Sequence, residues 1–172
     1  MSITPPLATI TVGVIVERSK GATVWAEFYW RPVGVLGGQP DTKPWTKLND
    51  DGDRATFYAG SADIELYRTE TAYYRDNLNS GAPSLWVALR AADGDPPFAV
   101  AAVTADPAEG EGLTETATHL VEQVPMPDSI AQAVAAFVAE HYVEQPFVKR
   151  KRDRADPEAL ARRGPKSGED RE

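Results

Sequence analysis

The sequence predicts an α+β fold: a mainly antiparallel sheet, shaped as a roll or a partly open barrel, with two to three helices, the longest at the C-terminus. Runs of β-forming residues follow one another over short connections, with single helices between them, and this order favours antiparallel pairing. One long helical stripe of apolar residues runs from Ile130 to His141. After that stripe the apolar periodicity ends, which predicts a disordered tail.

Composition narrows the class of protein. The chain has 172 residues, 42% of them hydrophobic and 26% charged, which is typical of one globular domain. It contains no cysteine, so disulfides, thiolate metal sites and cysteine nucleophiles are excluded. The N-terminus lacks the pattern of a signal peptide, and no apolar run is long enough to span a bilayer. We therefore expect a cytoplasmic protein.

Charge divides the chain into two parts. Residues 149–172 contain nine of the 18 Lys and Arg residues and six of the 26 Asp and Glu residues, a net charge of about +3, which leaves about −11 for residues 1–148. We predict a single α+β domain over residues 1–148 and a basic, largely disordered tail over residues 149–172. The acidic domain disfavours nucleic acid as a partner, because that binding depends on neutralising phosphates.

The first half of the domain is rich in strands. Residues 10–16 predict a buried strand, which a turn at residues 18–21 ends. Residues 22–36 predict a long strand, in which Pro32 marks a sheet edge or a bulge because proline cannot donate to the ladder. Residues 41–54 are interpreted as a polar connection with turn residues near its end.

Two segments and a helix follow. Residues 55–58 and 62–68 predict two short strands, or one strand bent at Gly60. A helix is expected to begin with Thr69 as its N-cap and to stop at Gly81.

The last part of the domain combines a hairpin, a strand and two helices. Residues 85–90 and 98–104 predict the hairpin, across a loop of Gly, Asp and Pro. Asp106 is expected to cap a helix that glycines limit to one or two turns. Residues 119–124 predict another strand. The final helix has its apolar positions on one face: Ile130, Val134, Phe137, Val138 and His141.

No catalytic or metal-binding residue is predicted, and no cofactor. His119 and His141 lack the spacing of metal ligands, and neither a serine nucleophile elbow nor a phosphate-binding loop is present. Gly37 and Gly38 follow a strand and are interpreted as its terminating loop. Asp63 and Glu65 share one face of a strand, where they could act as an acid–base pair, bind a cation, or form a solvated face.

An aromatic strand is the first candidate for binding a partner. Trp25, Tyr29 and Arg31 alternate onto one face of the strand, while Phe28 and Trp30 lie on the other. Tyr, Trp and Arg are enriched at protein interfaces. The first face is therefore a predicted partner-binding surface, with a covered face as the alternative.

A basic run is the second candidate. An aromatic residue precedes four consecutive basic positions, and these five residues are predicted to bind a partner: Phe147, Lys149, Arg150, Lys151 and Arg152. The run could dock on an acidic protein by charge steering. It could also bind nucleic acid or an anionic membrane surface, or be a solvated terminus without a role.

Six segments together resemble an uncharacterised bacterial family of small proteins. The resemblance extends over about residues 10–154, and its segments are VIVER at 14–18, WRPV at 30–33, IELYRTET at 64–71, PSLWV at 83–87, VPMP at 124–127 and EQPFVKRKR at 144–152. Members of this family are often encoded near genes for molybdenum-dependent formate dehydrogenases and their assembly factors. Some carry the automatic label of molybdopterin-guanine dinucleotide biosynthesis protein A.

The resemblance implies a role near formate dehydrogenase maturation. Our first hypothesis is a non-enzymatic accessory protein that acts by protein–protein contact, with a formate dehydrogenase subunit or its assembly factors as partner. The alternative is a molybdopterin- or nucleotide-binding enzyme of molybdenum cofactor biosynthesis.

Overall fold

The computed structural model describes residues 4–22, 27–144, 146 and 148, and confirms an α+β fold with two open antiparallel sheets. The chain divides into two units, residues 1–142 and residues 143–172. All regular secondary structure described below lies in the first unit. None of the helices in the described ranges has the length and apolar character needed to cross a membrane.

Four strands form the first sheet, here called sheet A: β1 (Ala8–Lys20), β2 (Phe28–Gly37), β3 (Thr46–Asp50) and β4 (Arg54–Leu66). Their spatial order is β2–β1–β4–β3, and every neighbouring pair is antiparallel. β1 is an interior strand because it pairs with β2 on one edge and with β4 on the other. Its core-facing side is formed by Val12, Val14 and Val16, which are fully buried.

Three strands form the second sheet, sheet B: β5 (Ser84–Ala91), β6 (Phe98–Thr104) and β7 (His119–Pro125), in the order β6–β5–β7. A 3₁₀ turn (Arg68–Glu70) leads from sheet A into helix α1 (Thr71–Leu78). Helix α2 (Pro107–Glu115) connects β6 to β7, and α3 (Asp128–His141) follows β7.

The two sheets approach each other at both sides, β4 beside β6 and β2 beside β7. No ladder joins them at either side within the described residues, so six of the strands form a barrel that stays open. The core fills the space between the sheets and the packed helices α1 and α3. The predicted stripe of α3 is confirmed, with Ile130, Val134, Phe137 and Val138 buried.

Several predicted details of β2 and β4 are confirmed. β2 is an edge strand of sheet A, and its ladder with β1 skips Val33, directly after Pro32. β4 is one continuous strand, in which Ala59 bulges and Gly60 adopts a φ of 129°. Glycine is favoured at that φ because it lacks the Cβ that would clash.

Other boundaries were predicted wrongly. The polar connection over residues 41–54 contains strand β3. The first strand continues to Lys20, through the predicted turn, and β2 begins only at Phe28. Thr69 does not cap α1: Glu70 occupies the N-cap position without a side-chain hydrogen bond, and the Thr69 hydroxyl donates to the Glu70 carboxylate.

Helix α2 is longer than predicted. Asp106 caps it as expected, accepting from the Ala108 N–H at 2.8 Å, with Pro107 in the first turn. The helix nevertheless continues for nine residues through both glycines. Gly110 is buried because the Trp86 ring of β5 lies where a Cβ atom would stand. This glycine therefore lets the helix pack on the sheet.

Candidate protein-binding surface

The outer face of β2 contains the two predicted site residues that the structure describes. Tyr29 and Arg31 pair with Ser19 and Glu17 of β1, so all four side chains lie on the face of sheet A opposite the core. Tyr29 is 56% exposed, and the Arg31 side chain is 57% exposed. The structure thus places these two residues together at the sheet surface.

The bulge at Val33 brings one more residue, Leu36, onto this surface, although simple alternation would assign it to the opposite face. Because β2 contains one extra residue there, the alternation changes phase and Val35 turns into the core. Leu36 then pairs with Gly13 and lies on the same face as Arg31, 44% exposed. We call Tyr29, Arg31 and Leu36 the β2 surface.

An ion pair holds Arg31 within this surface. Its guanidinium donates to the Glu17 carboxylate at 3.3 Å, and the Glu17 side chain is only 14% exposed. Because the arginine of this pair is largely exposed and solvent screens it, the pair contributes at most about 1 kcal/mol to stability. Its main consequence here is to orient the arginine beside Tyr29.

The other face of β2 is covered by aromatic rings. The Trp30 ring centroid lies 5.6 Å from that of Phe57, 5.9 Å from that of Trp45 and 6.3 Å from that of Phe98. The Arg18 guanidinium stacks 4.4 Å from the centroid of Phe28. Alternation alone does not specify which face of this strand is buried, and the packing of Trp30 identifies the buried face.

The remaining predicted binding residues lie outside the described residues: Trp25, Phe147, Lys149, Arg150, Lys151 and Arg152.

A second polar surface follows the outer face of β4. The Asp63 carboxylate accepts from the Thr11 hydroxyl at 2.7 Å, and the Glu65 carboxylate accepts from the Tyr67 hydroxyl at 2.6 Å. That bond raises the pKa of the Tyr67 hydroxyl, because Glu65 holds its proton. Asp63 and Glu65 also line a groove of about 360 Å³ together with Glu109 of α2.

The strand pattern predicts that Asp63 and Glu65 share a face, but nothing in the sequence links them to Glu109. The Thr104 hydroxyl at the end of β6 donates to the Glu109 carboxylate at 2.6 Å and positions it. This link depends on β4 lying beside β6, which no local signal specifies. Within residues 4–22 and 27–144, no three His, Asp or Glu side chains are grouped as metal ligands.

The histidines and glycines take ordinary structural positions. The His119 ring nitrogen contacts the hydroxyls of Thr116 and Thr118 at 3.2 Å. His141 stacks on Phe137, with 4.6 Å between the ring centroids. The Gly37–Gly38 step ends β2 and is followed by irregular backbone rather than a helix, so it lacks the strand–loop–helix order of a phosphate-binding loop.

Comparison with protein families gives a match over most of the chain. No curated protein and no solved structure matches the chain. The family model described as "Protein of unknown function (DUF3305)" matches residues 11–151, which include sheet A from Thr11 onward, sheet B, helices α1 to α3 and the start of the basic run. The chain therefore belongs to the DUF3305 family.

Proposed function

We propose that this protein is a non-enzymatic accessory protein that acts by protein–protein contact. The observation that carries the proposal is the β2 surface, where a tyrosine, an arginine and a leucine are exposed on the same face of an edge strand. Tyr and Arg are the residue types that most often dominate binding energy at interfaces. A rigid strand presents them without the entropic cost of ordering a loop.

The partner is expected to belong to a molybdenum-dependent formate dehydrogenase system, either an enzyme subunit or an assembly factor. Support for this partner comes from the resemblance of six segments to a family encoded near such enzymes. Trp25 would extend the β2 surface, and the basic run would supply a second contact through Phe147, Lys149, Arg150, Lys151 and Arg152. An acidic patch on the partner would complement that run.

Affinity capture from the native host, grown on formate, tests the proposal. The tagged full-length chain is compared with the double variant Tyr29→Ser/Arg31→Glu, and the captured proteins are identified by mass spectrometry. We expect the unmodified chain to recover formate dehydrogenase subunits or their assembly factors, and the double variant to recover at least tenfold less, because removing hot-spot residues costs about 2 kcal/mol or more each.

A matched control makes the same chemical changes elsewhere. Tyr73→Ser/Arg90→Glu removes another exposed tyrosine and another exposed arginine, and should recover the same proteins as the unmodified chain. Equal losses in both double variants would contradict the β2 surface as the contact. Turnover of a pterin or nucleotide substrate by the purified chain would overturn the non-enzymatic role.

A further inference from the structure

A groove of about 380 Å³ lies between the packed helices α1 and α3. Its floor is apolar and consists of Val138, which is buried, and Leu78, which is half-buried. Ala135 and Ala139, one turn apart on α3, line the groove and are exposed. Because an alanine side chain is a single methyl group, this wall is low and leaves space for another element to approach the floor.

An arginine with a fixed orientation lines the same groove. The Arg75 guanidinium donates to the Tyr142 hydroxyl at 2.8 Å and lies 4.8 Å from the centroid of the Tyr142 ring. Among the described residues that line the groove, Arg75 alone is charged, and no Asp or Glu of the described ranges forms an ion pair with it. The guanidinium has five N–H donors in a planar fork, and the donors that Tyr142 does not use match a carboxylate in geometry and charge.

The walls of the groove determine what kind of element fits it. Both walls are helices, and most backbone N–H and C=O groups of a helix are bonded within it, so an extended strand would find no ladder partners there. The side-chain ridges of a third helix, in contrast, fit a groove between two helices. Ala135 precedes Tyr142 by two helical turns, or about 10 Å, so about two turns of an incoming helix would be in contact.

We propose that the groove between α1 and α3 binds an amphipathic helix of a partner protein, with apolar side chains at i, i+4 and i+7 and a carboxylate on the same face. The apolar side chains would cover Leu78 and Val138, as in other helix-in-groove complexes. The carboxylate would pair with Arg75, which Tyr142 already holds in place, so less side-chain entropy is lost on binding. The site shares no residue with the β2 surface and does not depend on it.

Binding of a helical peptide to the full-length protein tests the proposal. The probe is a capped peptide, stapled on its outer face and fluorescently labelled, with leucine at i, i+4 and i+7, one glutamate on the leucine face, and alanine and glutamine elsewhere. We expect saturable binding by anisotropy, and changes in amide NMR shifts concentrated in α1 and the second half of α3. Absence of saturable binding, or shift changes confined to the sheets, would overturn the proposal.

A double-mutant cycle isolates the predicted ion pair. Replacing the glutamate of the peptide by glutamine, or Arg75→Gln in the protein, should each weaken binding about fivefold to tenfold, and both together hardly more than either alone. Arg90→Gln removes another exposed arginine with the same change in net charge and should leave binding unchanged. Losses that multiply in the cycle would contradict a pair between the carboxylate and Arg75.

Larger side chains on α3 test the groove itself. Ala135→Gln/Ala139→Gln fills the space beside Val138 with residues that keep helix propensity, and should weaken binding about tenfold because the peptide no longer reaches the floor. Ala133→Gln/Ala136→Gln makes the same changes at exposed positions of α3 that do not line the groove, and should leave binding unchanged. Circular dichroism checks that both variants are folded, and equal weakening by both would overturn the groove as the binding site.

Discussion

The side chain of Asn77 links the end of α1 to the backbone at the ends of β5 and β6. Its amide nitrogen donates to the Ser84 carbonyl at 2.8 Å and the Ala105 carbonyl at 2.9 Å, and its amide oxygen accepts from the Ser84 N–H at 3.0 Å. The side chain is buried. We expect Asn77→Ala to lower the free energy of unfolding by about 3 kcal/mol, because the buried backbone groups lose their partners. Urea denaturation measures this change.

The control for this prediction is a neighbouring asparagine. Asn79 is exposed at the end of α1, and its backbone N–H, rather than its side chain, bonds to Arg75. Asn79→Ala should therefore change the free energy of unfolding by less than about 0.5 kcal/mol. Similar decreases in the free energy of unfolding at both positions would show that the Asn77 hydrogen bonds do not stabilise the contact between α1 and sheet B.

At the scale of elements, two glycines of α2 allow a matched comparison of packing and helix propensity. Gly110 faces the Trp86 ring, whereas Gly112 faces open space. We expect Gly112→Ala to stabilise the protein by up to about 1 kcal/mol through helix propensity. Gly110→Ala should destabilise it by about 1–3 kcal/mol, because the new methyl group overpacks the contact with Trp86. Thermal unfolding of both variants measures the two changes in stability. Changes of the same sign would contradict the packing argument.

Elements with their own apolar pattern could be predicted from the sequence, and elements defined by a neighbour could not. Apolar periodicity predicts helix α3, and alternation with turn residues between the strands predicts the hairpin of β5 and β6. β3 was missed because all five of its residues, Thr46–Asp50, are exposed and only Leu48 is apolar. It is a strand because the edge of β4 offers it hydrogen bonds, which is a tertiary effect.

The same distinction applies to the candidate site. Tyr29 and Arg31 were predicted to share a face from simple alternation, and they do. Leu36 was not assigned to that face because the bulge at Val33 shifts the alternation by one residue. Pro32 signalled an irregularity in the strand, but not that Leu36 would turn outward.

At the scale of the whole molecule, the sheets place acidic groups from distant parts of the sequence along one groove. Asp63 and Glu65 come from β4 and Glu109 from α2, more than forty positions later. The sequence shows the net negative charge of residues 1–148 but not where the charge lies on the fold, because that location depends on β4 lying beside β6. The groove exists for the same reason that the barrel is open: no ladder joins these two strands in the described residues.

Tyr74 of α1 contacts both the backbone that directly follows β4 and Phe137 of α3, so its ionisation should be visible in the stability of the whole molecule. Its buried hydroxyl accepts from the Tyr67 N–H at 3.0 Å, and its ring meets that of Phe137 edge-on. Burial raises the pKa of Tyr74 to about 12. The unfolded chain releases this proton near pH 10, so the stabilisation is complete below about pH 10 and decreases as the pH rises towards 12.

Urea midpoints measured between pH 8 and pH 11.5 test this prediction. Above pH 10 the unmodified protein should lose stability more steeply than Tyr74→Phe, which has no hydroxyl to ionise. Near neutral pH the variant should already be about 1 kcal/mol less stable, because the hydrogen bond with Tyr67 is lost. Tyr73→Phe, which changes an exposed tyrosine on the same helix, should keep the full alkaline slope. A Tyr74→Phe slope identical to that of the unmodified protein would mean that Tyr74 ionises in the folded state without opening the core.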